Sequence, residues 1–382
     1  MRILLCMYDY FAGGAETQFR FLSDALQAAE DMELYILFEK LDHDHSGHAV
    51  EVLNAKNIQY YNLDIDRSIS LLDRIALKLH YDSVGKRTER KLTTFLKKHG
   101  RFDWVITYNY TFIPFVDLFH QLNMKVLFSE RNDGQWIQKI NKINYGVKRA
   151  DKVTCNSVAA MEYITDVIGV SCEYVKNGVQ IKPENYKNAV NPRDSVLISA
   201  RISPEKNQEI ILKAMLEENM DFKLVLCGSI SDETYYQKLS EMVQKNNLSD
   251  KVCFAGFQSD MIPYLHNAFC VVLPSYYEGT PNAILEAYAL GTPALASKIS
   301  MNIPLFEDSN LLFSPDDPES FIKAYRYLSE MSESDIKKLM ERNFLFVQKE
   351  YSVLKMQDTY LSILRANLCR GGRKNKCEPK KV

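Results

Sequence analysis

Residues 268–297 read AFCVVLPSYYEGTPNAILEAYALGTPALAS, from Ala268 to Ser297. The opening run, FCVVLP, is apolar without alternation, as a strand buried on both faces requires. A loop carrying Glu278 and Gly279 follows. Thr280 and Pro281 then stand where an N-cap and a first helical position are expected. NAILEAYAL continues as a helix to Gly291, a fitting C-terminal stop, and Thr292-Pro293 opens the next short strand. A strand, a helix and a second strand of this kind form the unit of a parallel sheet covered by helices.

The same alternation runs outward in both directions. Towards the N-terminus lie RILLCM from Arg2, ELYILFE from Glu33, DWVITYN from Asp103, KVLFSE from Lys125 and KVTCNS from Lys152. A polar, proline-containing stretch from Lys182 to Ser195 interrupts the series. It restarts with SVLISAR from Ser195, FKLVLCG from Phe222 and KVCFAGF from Lys251. The expected fold class is α/β with two Rossmann-like parallel-sheet domains, residues 1–182 and 183–352, facing a central cleft. Helical spacing from about Ser334 to Leu368 has a break near Tyr351. The tail, residues 369–382, is polar, basic and read as flexible.

Length and composition agree. The 382 residues exceed the roughly 250–300 at which a single core stops growing. Hydrophobic residues at 46% and charged residues at 25% give the balance of a globular protein rather than a disordered one. Forty-seven Lys plus Arg against 49 Asp plus Glu leaves no basic excess, so nucleic acid is not an expected partner. No apolar run approaches the ~20 residues of a membrane-spanning helix, and MRILLCMYDYFAGG reads as a first strand rather than a secretory signal. Eight cysteines form no CxxC pair and several lie in apolar runs, which points to a reducing, cytoplasmic setting.

Two stretches hold the chemistry. In the first, a helix N-terminus at the carboxyl end of a parallel strand is an anion site, because its backbone N–H groups and dipole point outward. Glu278 precedes that terminus and Glu286 lies inside the helix among Ala283, Ile284, Leu285, Ala287, Ala289 and Leu290. Carboxylates accept hydrogen bonds from vicinal hydroxyls, so the pair suits sugar rings on either side of a diphosphate. The alternative is a loop charge and a solvated helix charge. The second stretch, ISARISPEKNQEIILKAM from Ile198, brings Arg201 and Lys206 to the end of a strand. Two cations there can hold a diphosphate and stabilise the charge it gains on leaving. The alternative is a surface ion pair of Lys206 with Glu205 or Glu209.

Together, EGTPNAILEA with ALGTPALAS, preceded by ARISPEKNQ, resembles the retaining, nucleotide-sugar-dependent glycosyltransferases of family four, the group-one family with the GT-B fold. FAGGAETQFRFLSDAL from Phe11, YVKNGVQI from Tyr174 and GFQSDMIPYLHNAFCVVLPS from Gly256 are similar to further segments of that family. The resemblance implies that Arg201 and Lys206 bind the diphosphate and that Glu286 takes the ribose hydroxyls. It places Glu278 facing the donor sugar, with Gly279, Thr280, Pro281, Asn282 and Ala283 near sugar and phosphate. Gly13 and Gly14 match the loop approaching the donor phosphate, and Gly256 and Phe257 fall where the base is held. A last helix near residues 353–368 would cross back onto the first domain.

The chain also departs from the family. Where many relatives carry a histidine near the anomeric centre, it reads VLFSERNDGQW, with Ser129, Glu130, Arg131 and Asn132. This resembles a subset of polysaccharide-assembling members. Glu130 is then a candidate active-site carboxylate, the alternative being a buried Glu130–Arg131 network. After ALAS, KISMNIPLF from Lys298 replaces the usual glycine-containing loop beside the donor sugar.

The expected reaction is sugar transfer with retention from a nucleoside diphosphate sugar, UDP-linked by the family's commoner usage, to a glycan or lipid-linked acceptor. No metal or other cofactor is expected. Asp64-Ile65-Asp66 spells a metal-binding DxD and Asp42, His43, Asp44, His45 and His48 resemble ligands, yet both read as loops. Between Arg67 and Arg101, ten Lys plus Arg stand against three Asp plus Glu, with Ile69, Leu72, Ile75, Ala76 and Leu79 on one helical face. A contact with anionic membrane and an ordinary charged helix packed on the sheet both fit this stretch. Rival functions are a sugar-nucleotide epimerase or phosphorylase of the same fold, or a non-catalytic sugar-nucleotide binder. A nicotinamide dehydrogenase is disfavoured because no GxGxxG follows a strand.

Overall fold

The computed structural model describes residues 1–9, 14–41, 50–65, 83–108, 110–187, 189–192, 195–217, 220 and 222–366. The chain forms two compact units. One comprises Met1–Cys155, Ala160–Val175 and the segment from Leu354, the other Asn156–Ala159 and Lys176–Val353. The chain enters the second unit at Lys176, ahead of the Lys182–Ser195 linker read from composition, and Asn156–Ala159 belongs to the second unit although it follows a strand of the first.

The first unit has a seven-stranded sheet: β1 (Arg2–Met7), β2 (Glu33–Phe38), β3 (Tyr60–Asn62), β4 (Trp104–Tyr108), β5 (Lys125–Glu130), β6 (Lys152–Cys155) and β7 (Glu173–Tyr174). Every pairing is parallel and the order is β3-β2-β1-β4-β5-β6-β7. The second unit has β8 (Ser195–Ser199), β9 (Lys223–Cys227), β10 (Val252–Gly256), β11 (Cys270–Leu273), β12 (Ala294–Ser297) and β13 (Leu312–Phe313), parallel in the order β10-β9-β8-β11-β12-β13. Each order reverses direction once, between β1 and β4 and between β8 and β11. At such a switch point the loops leaving the two central strands part to opposite faces and open a crevice at the carboxyl ends.

The central strands explain the unbroken apolar runs. Ile3, Leu4, Leu5 and Cys6 of β1 and all of Cys270–Leu273 are buried, because helices cover both sheet faces. β3, β7 and β13 were not legible beforehand; with two or three residues each, they carry too few positions for a pattern. Cys6, Cys155, Cys227 and Cys270 are buried and in no disulfide, while Cys172 is partly buried and Cys253 exposed.

The helix Ser83–His99 sets Leu92, Phe95 and Leu96 in the first unit's core and turns Lys86, Arg90, Lys97 and Lys98 outward. This described part of the basic stretch is an ordinary charged helix packed on the core. Ile69, Leu72, Ile75, Ala76 and Leu79 lie outside the described residues. Helix Glu333–Glu350 stops at Tyr351, and helix Val353–Ala366 follows. The latter buries Met356, Tyr360, Ile363 and Leu364 in the first unit. The Tyr360 hydroxyl lies 2.9 Å from Ser129 Oγ, and Gln357 donates to the Phe21 carbonyl at 2.7 Å. No helix among the described residues is long and apolar enough to cross a membrane.

Candidate functional site

The loops leaving β8 and β11 at the switch point of the second unit are built from small, specific requirements. Gly228, just past β9, packs directly on the Ala200 carbonyl, so a Cβ there would collide with backbone. This close approach sets the path of the chain into Arg201. Pro204–Lys206 then forms a single 3-10 turn. Asn207 ends it in the left-handed region at φ 53°, and its amide donates to the Pro274 carbonyl at 3.2 Å and the Pro315 carbonyl at 2.8 Å. Gln208, fully buried, donates to the Arg201 carbonyl at 2.7 Å. The Tyr276 N–H donates to the Glu205 carbonyl at 2.9 Å, tying the two loops together.

This scaffold brings Lys206 Nζ to 2.7 Å from Glu278 Oε1, with side-chain exposures of 16% and 9%. Ser275 Oγ donates to the same oxygen at 2.6 Å. The Ser275 carbonyl in turn accepts from Ser297 Oγ at 2.5 Å, and Asn302 of the KISMNIPLF loop donates to the Ser297 carbonyl at 2.9 Å. The surface pairings weighed for Lys206 do not form. Glu209 is held by Lys213 and Lys238, at 2.9 and 2.5 Å. Glu205 lies 3.6 Å from the exposed Arg201 guanidinium.

The helix runs Asn282–Ala289 and begins differently from the sequence expectation. Its N-cap position is Pro281, without a side-chain cap. Thr280 Oγ1 donates instead to the Asn156 carbonyl at 2.8 Å, and Asn282 Oδ1 accepts from Asn177 at 2.9 Å. These bonds fix the loop to segments distant in sequence. The N–H groups of Gly279, Thr280 and Ala283 have no protein acceptor among the described residues, so an anion-ready set of donors remains at the strand's carboxyl end. The helix ends at Gly291, φ 74°, where a Cβ would meet the Lys187 carbonyl at 2.7 Å. Glu286, partly buried on the helix, has no side-chain partner among the described residues, and burial pushes its carboxyl up to about 7. Gly256 closes edge strand β10 after a register shift and Phe257 follows it, exposed.

The first unit carries the remaining expected residues. Glu130 ends β5 and is fully buried. Its Oε1 accepts from the Tyr110 hydroxyl at 2.8 Å and from the Asn132 N–H at 2.7 Å, while Oε2 is buried without a partner. Burial raises the Glu130 pKa against the pull of these two bonds. The Arg131 guanidinium lies 4.9 Å over the Tyr108 ring, so the alternative of a Glu130–Arg131 pair gives way to a Glu130–Tyr110–Asn132 group. Gly14 starts the helix Gly14–Ala28; Gly13 lies outside the described residues. So do Asp42, His43, Asp44, His45, His48 and Asp66. Asp64 is an exposed turn residue at φ 49°. Among the described residues no three His, Cys, Asp or Glu gather as metal ligands.

Sequence reasoning passed over Asn207, Gln208, Ser275, Asn156 and Asn177. Asn207 had a local signal, since asparagine favours the left-handed region. The others show their role only through partners far along the chain.

Residues 180–343 match the family model of glycosyl transferases group 1. The O-antigen biosynthesis glycosyltransferase WclY of Escherichia coli is 24% identical over 186 residues, 46% of this chain and 52% of that protein. The Escherichia coli UDP-Gal:alpha-D-GlcNAc-diphosphoundecaprenol alpha-1,3-galactosyltransferase is 29% identical over 152 residues, 37% of this chain and 38% of that protein. The matched stretch thus spans about half or less of these curated relatives. HepE of Anabaena, in its crystal structure with UDP and glucose, superposes with a TM-score of 0.76 over 96% of this chain and all of that one, at 16% identity, a likeness of fold alone. Residues 180–343 thus match the group 1 glycosyltransferases, and the two Rossmann-like units are those of the GT-B fold.

Proposed function

We propose that the protein transfers a sugar, with retention of anomeric configuration, from a UDP-linked donor to a glycan or lipid-linked acceptor in polysaccharide assembly. The observation that carries this reading is the gathering of Arg201, Lys206, Glu278, Glu286 and the uncapped amides around Ala283 at the switch point of one parallel sheet. The family match supports it. HepE was crystallised with UDP and glucose, and the galactosyltransferase relative is named for a diphosphoundecaprenol acceptor.

In this reading the bond between the anomeric carbon and the departing phosphate oxygen breaks as the acceptor oxygen bonds to that carbon. The acceptor proton passes to the departing diphosphate. Arg201 and Lys206 stabilise the negative charge that grows on the leaving group, which is where fixed charges lower a barrier most. Lys206 turns from Glu278 towards the phosphates as the donor binds. Glu278 faces the donor sugar, and Glu286 accepts from the ribose hydroxyls. Glu130, held by Tyr110 and Asn132, is the carboxyl that this reading assigns to the first unit. The two cations meet the charge that a metal would otherwise meet, and transfer proceeds undiminished in excess chelator. The working site is cytoplasmic, at the inner face of the membrane.

The test is Arg201→Ala, for which turnover falls by roughly 10²-fold or more. Donor and acceptor are supplied together and donor alone in parallel. Unchanged turnover removes the leaving-group role, and an altered free sugar nucleotide from donor alone replaces transfer by epimerisation.

A further inference from the structure

Residues 133–149, DGQWIQKINKINYGVKR, form two consecutive short helices in the first unit, Gln135–Lys139 and Asn141–Arg149. Ile137, Ile143, Gly146 and Val147 point into the core. Trp136, Ile140 and Tyr145 do not: they are 51%, 43% and 49% exposed. Around them stand four exposed cations, Lys139, Lys142, Lys148 and Arg149, against one acid in the segment, Asp133. The Lys139 ammonium lies 4.7 Å from the centre of the Trp136 ring, and the Arg149 guanidinium 5.6 Å from that of Tyr145. Asp117 accepts from both Tyr145 and Arg149, at 2.8 and 2.7 Å, and so holds this end of the patch.

Single exposed apolar residues are ordinary. Three of them within ten residues, interleaved with cations, have the composition of a surface that enters a lipid headgroup region. The more basic helix Ser83–His99 lacks this combination, since its apolar residues are spent in the core. A second copy of the chain is a poor partner for the patch, because like would face like in charge. An anionic phospholipid surface is complementary in both respects.

We propose that residues 136–149 dock the first unit on anionic phospholipid, with Trp136, Ile140 and Tyr145 entering the headgroup layer and the lysines meeting lipid phosphates. The inference stands on exposure and charge, and takes from the proposed function only the expectation of a lipid-linked acceptor.

Co-sedimentation of the full chain with vesicles of phosphatidylglycerol mixed into phosphatidylcholine, without donor or acceptor, is the test. The wild type binds the mixed vesicles and not pure phosphatidylcholine, and added salt weakens binding. Two paired substitutions, Trp136→Ser with Ile140→Ser and Lys139→Glu with Lys142→Glu, each lower binding about tenfold or more. All these side chains are exposed, so the melting transition is unchanged. Lys97→Glu with Lys98→Glu, in the neighbouring basic helix, binds as the wild type does. The proposal is overturned by no wild-type binding, by wild-type-like binding of both patch variants, or by binding lost only in the Lys97/Lys98 variant. It is equally overturned if the patch substitutions abolish self-association while no vesicle binding exists. Failure of any of these leaves sugar transfer to be judged separately on a soluble acceptor.

Discussion

Glu286 shows what one residue's surroundings do. With its carboxyl raised from 4.5 to about 7, the folded protein holds a proton that the unfolded chain releases between those values. Its contribution to stability is therefore fully present below about pH 4.5 and is lost as pH rises towards 7. Glu286→Gln removes that loss, so the variant gains on the wild type between pH 5 and pH 8 by on the order of 2 kcal/mol, read from urea midpoints. Parallel profiles would show that Glu286 does not carry the shift. Ribose hydroxyls donating to this carboxylate would favour its ionised form. UDP affinity measured by calorimetry then rises from about pH 6 to pH 8 in the wild type and stays flat in Glu286→Gln.

Between elements, the Lys206–Glu278 pair joins the turn after β8 to the loop after β11. Both groups are largely buried, so removing one strands the other's charge in a poorly solvated place. Lys206→Ala is expected to destabilise the protein, and adding Glu278→Gln to recover part of the loss. The coupling from a double-mutant cycle by denaturant unfolding is about 1–3 kcal/mol. Coupling near zero would mean that the pair is as loose as a surface ion pair. Asn207 and Gln208 serve the same junction from the backbone side, which is why the sequence after Lys206 reads as buried amides rather than as a simple helix start.

At the scale of the molecule, the C-terminal helix belongs to the unit that the N-terminus begins. Tyr360 is almost fully buried there against Ser129 of β5. Tyr360→Ala opens a cavity in the first unit and costs about 3–5 kcal/mol. Hydrogen exchange should show lost protection in helix Gly14–Ala28 and β5, with β8 and β11 of the second unit retaining theirs. Equal loss in both units would mean that they unfold as one body.

The amino-acid sequence by itself determined the strands that are long and central, the two βα series, the break near Tyr351 and the charged residues flanking the EGTPNAILEA helix. Each of these depends on the burial of residues a few positions apart, and burial on both faces of a covered sheet leaves an unbroken apolar run. Tertiary structure alone decided the rest. The partner of Lys206 lies 72 positions away, and the anchors of Thr280 and Asn282 are Asn156 and Asn177. Strand order chooses such neighbours, and local sequence does not record it. The exposure of Trp136 and Ile140 is of the same kind, since a helix's apolar residues become core or surface only when the sheet beneath them is in place.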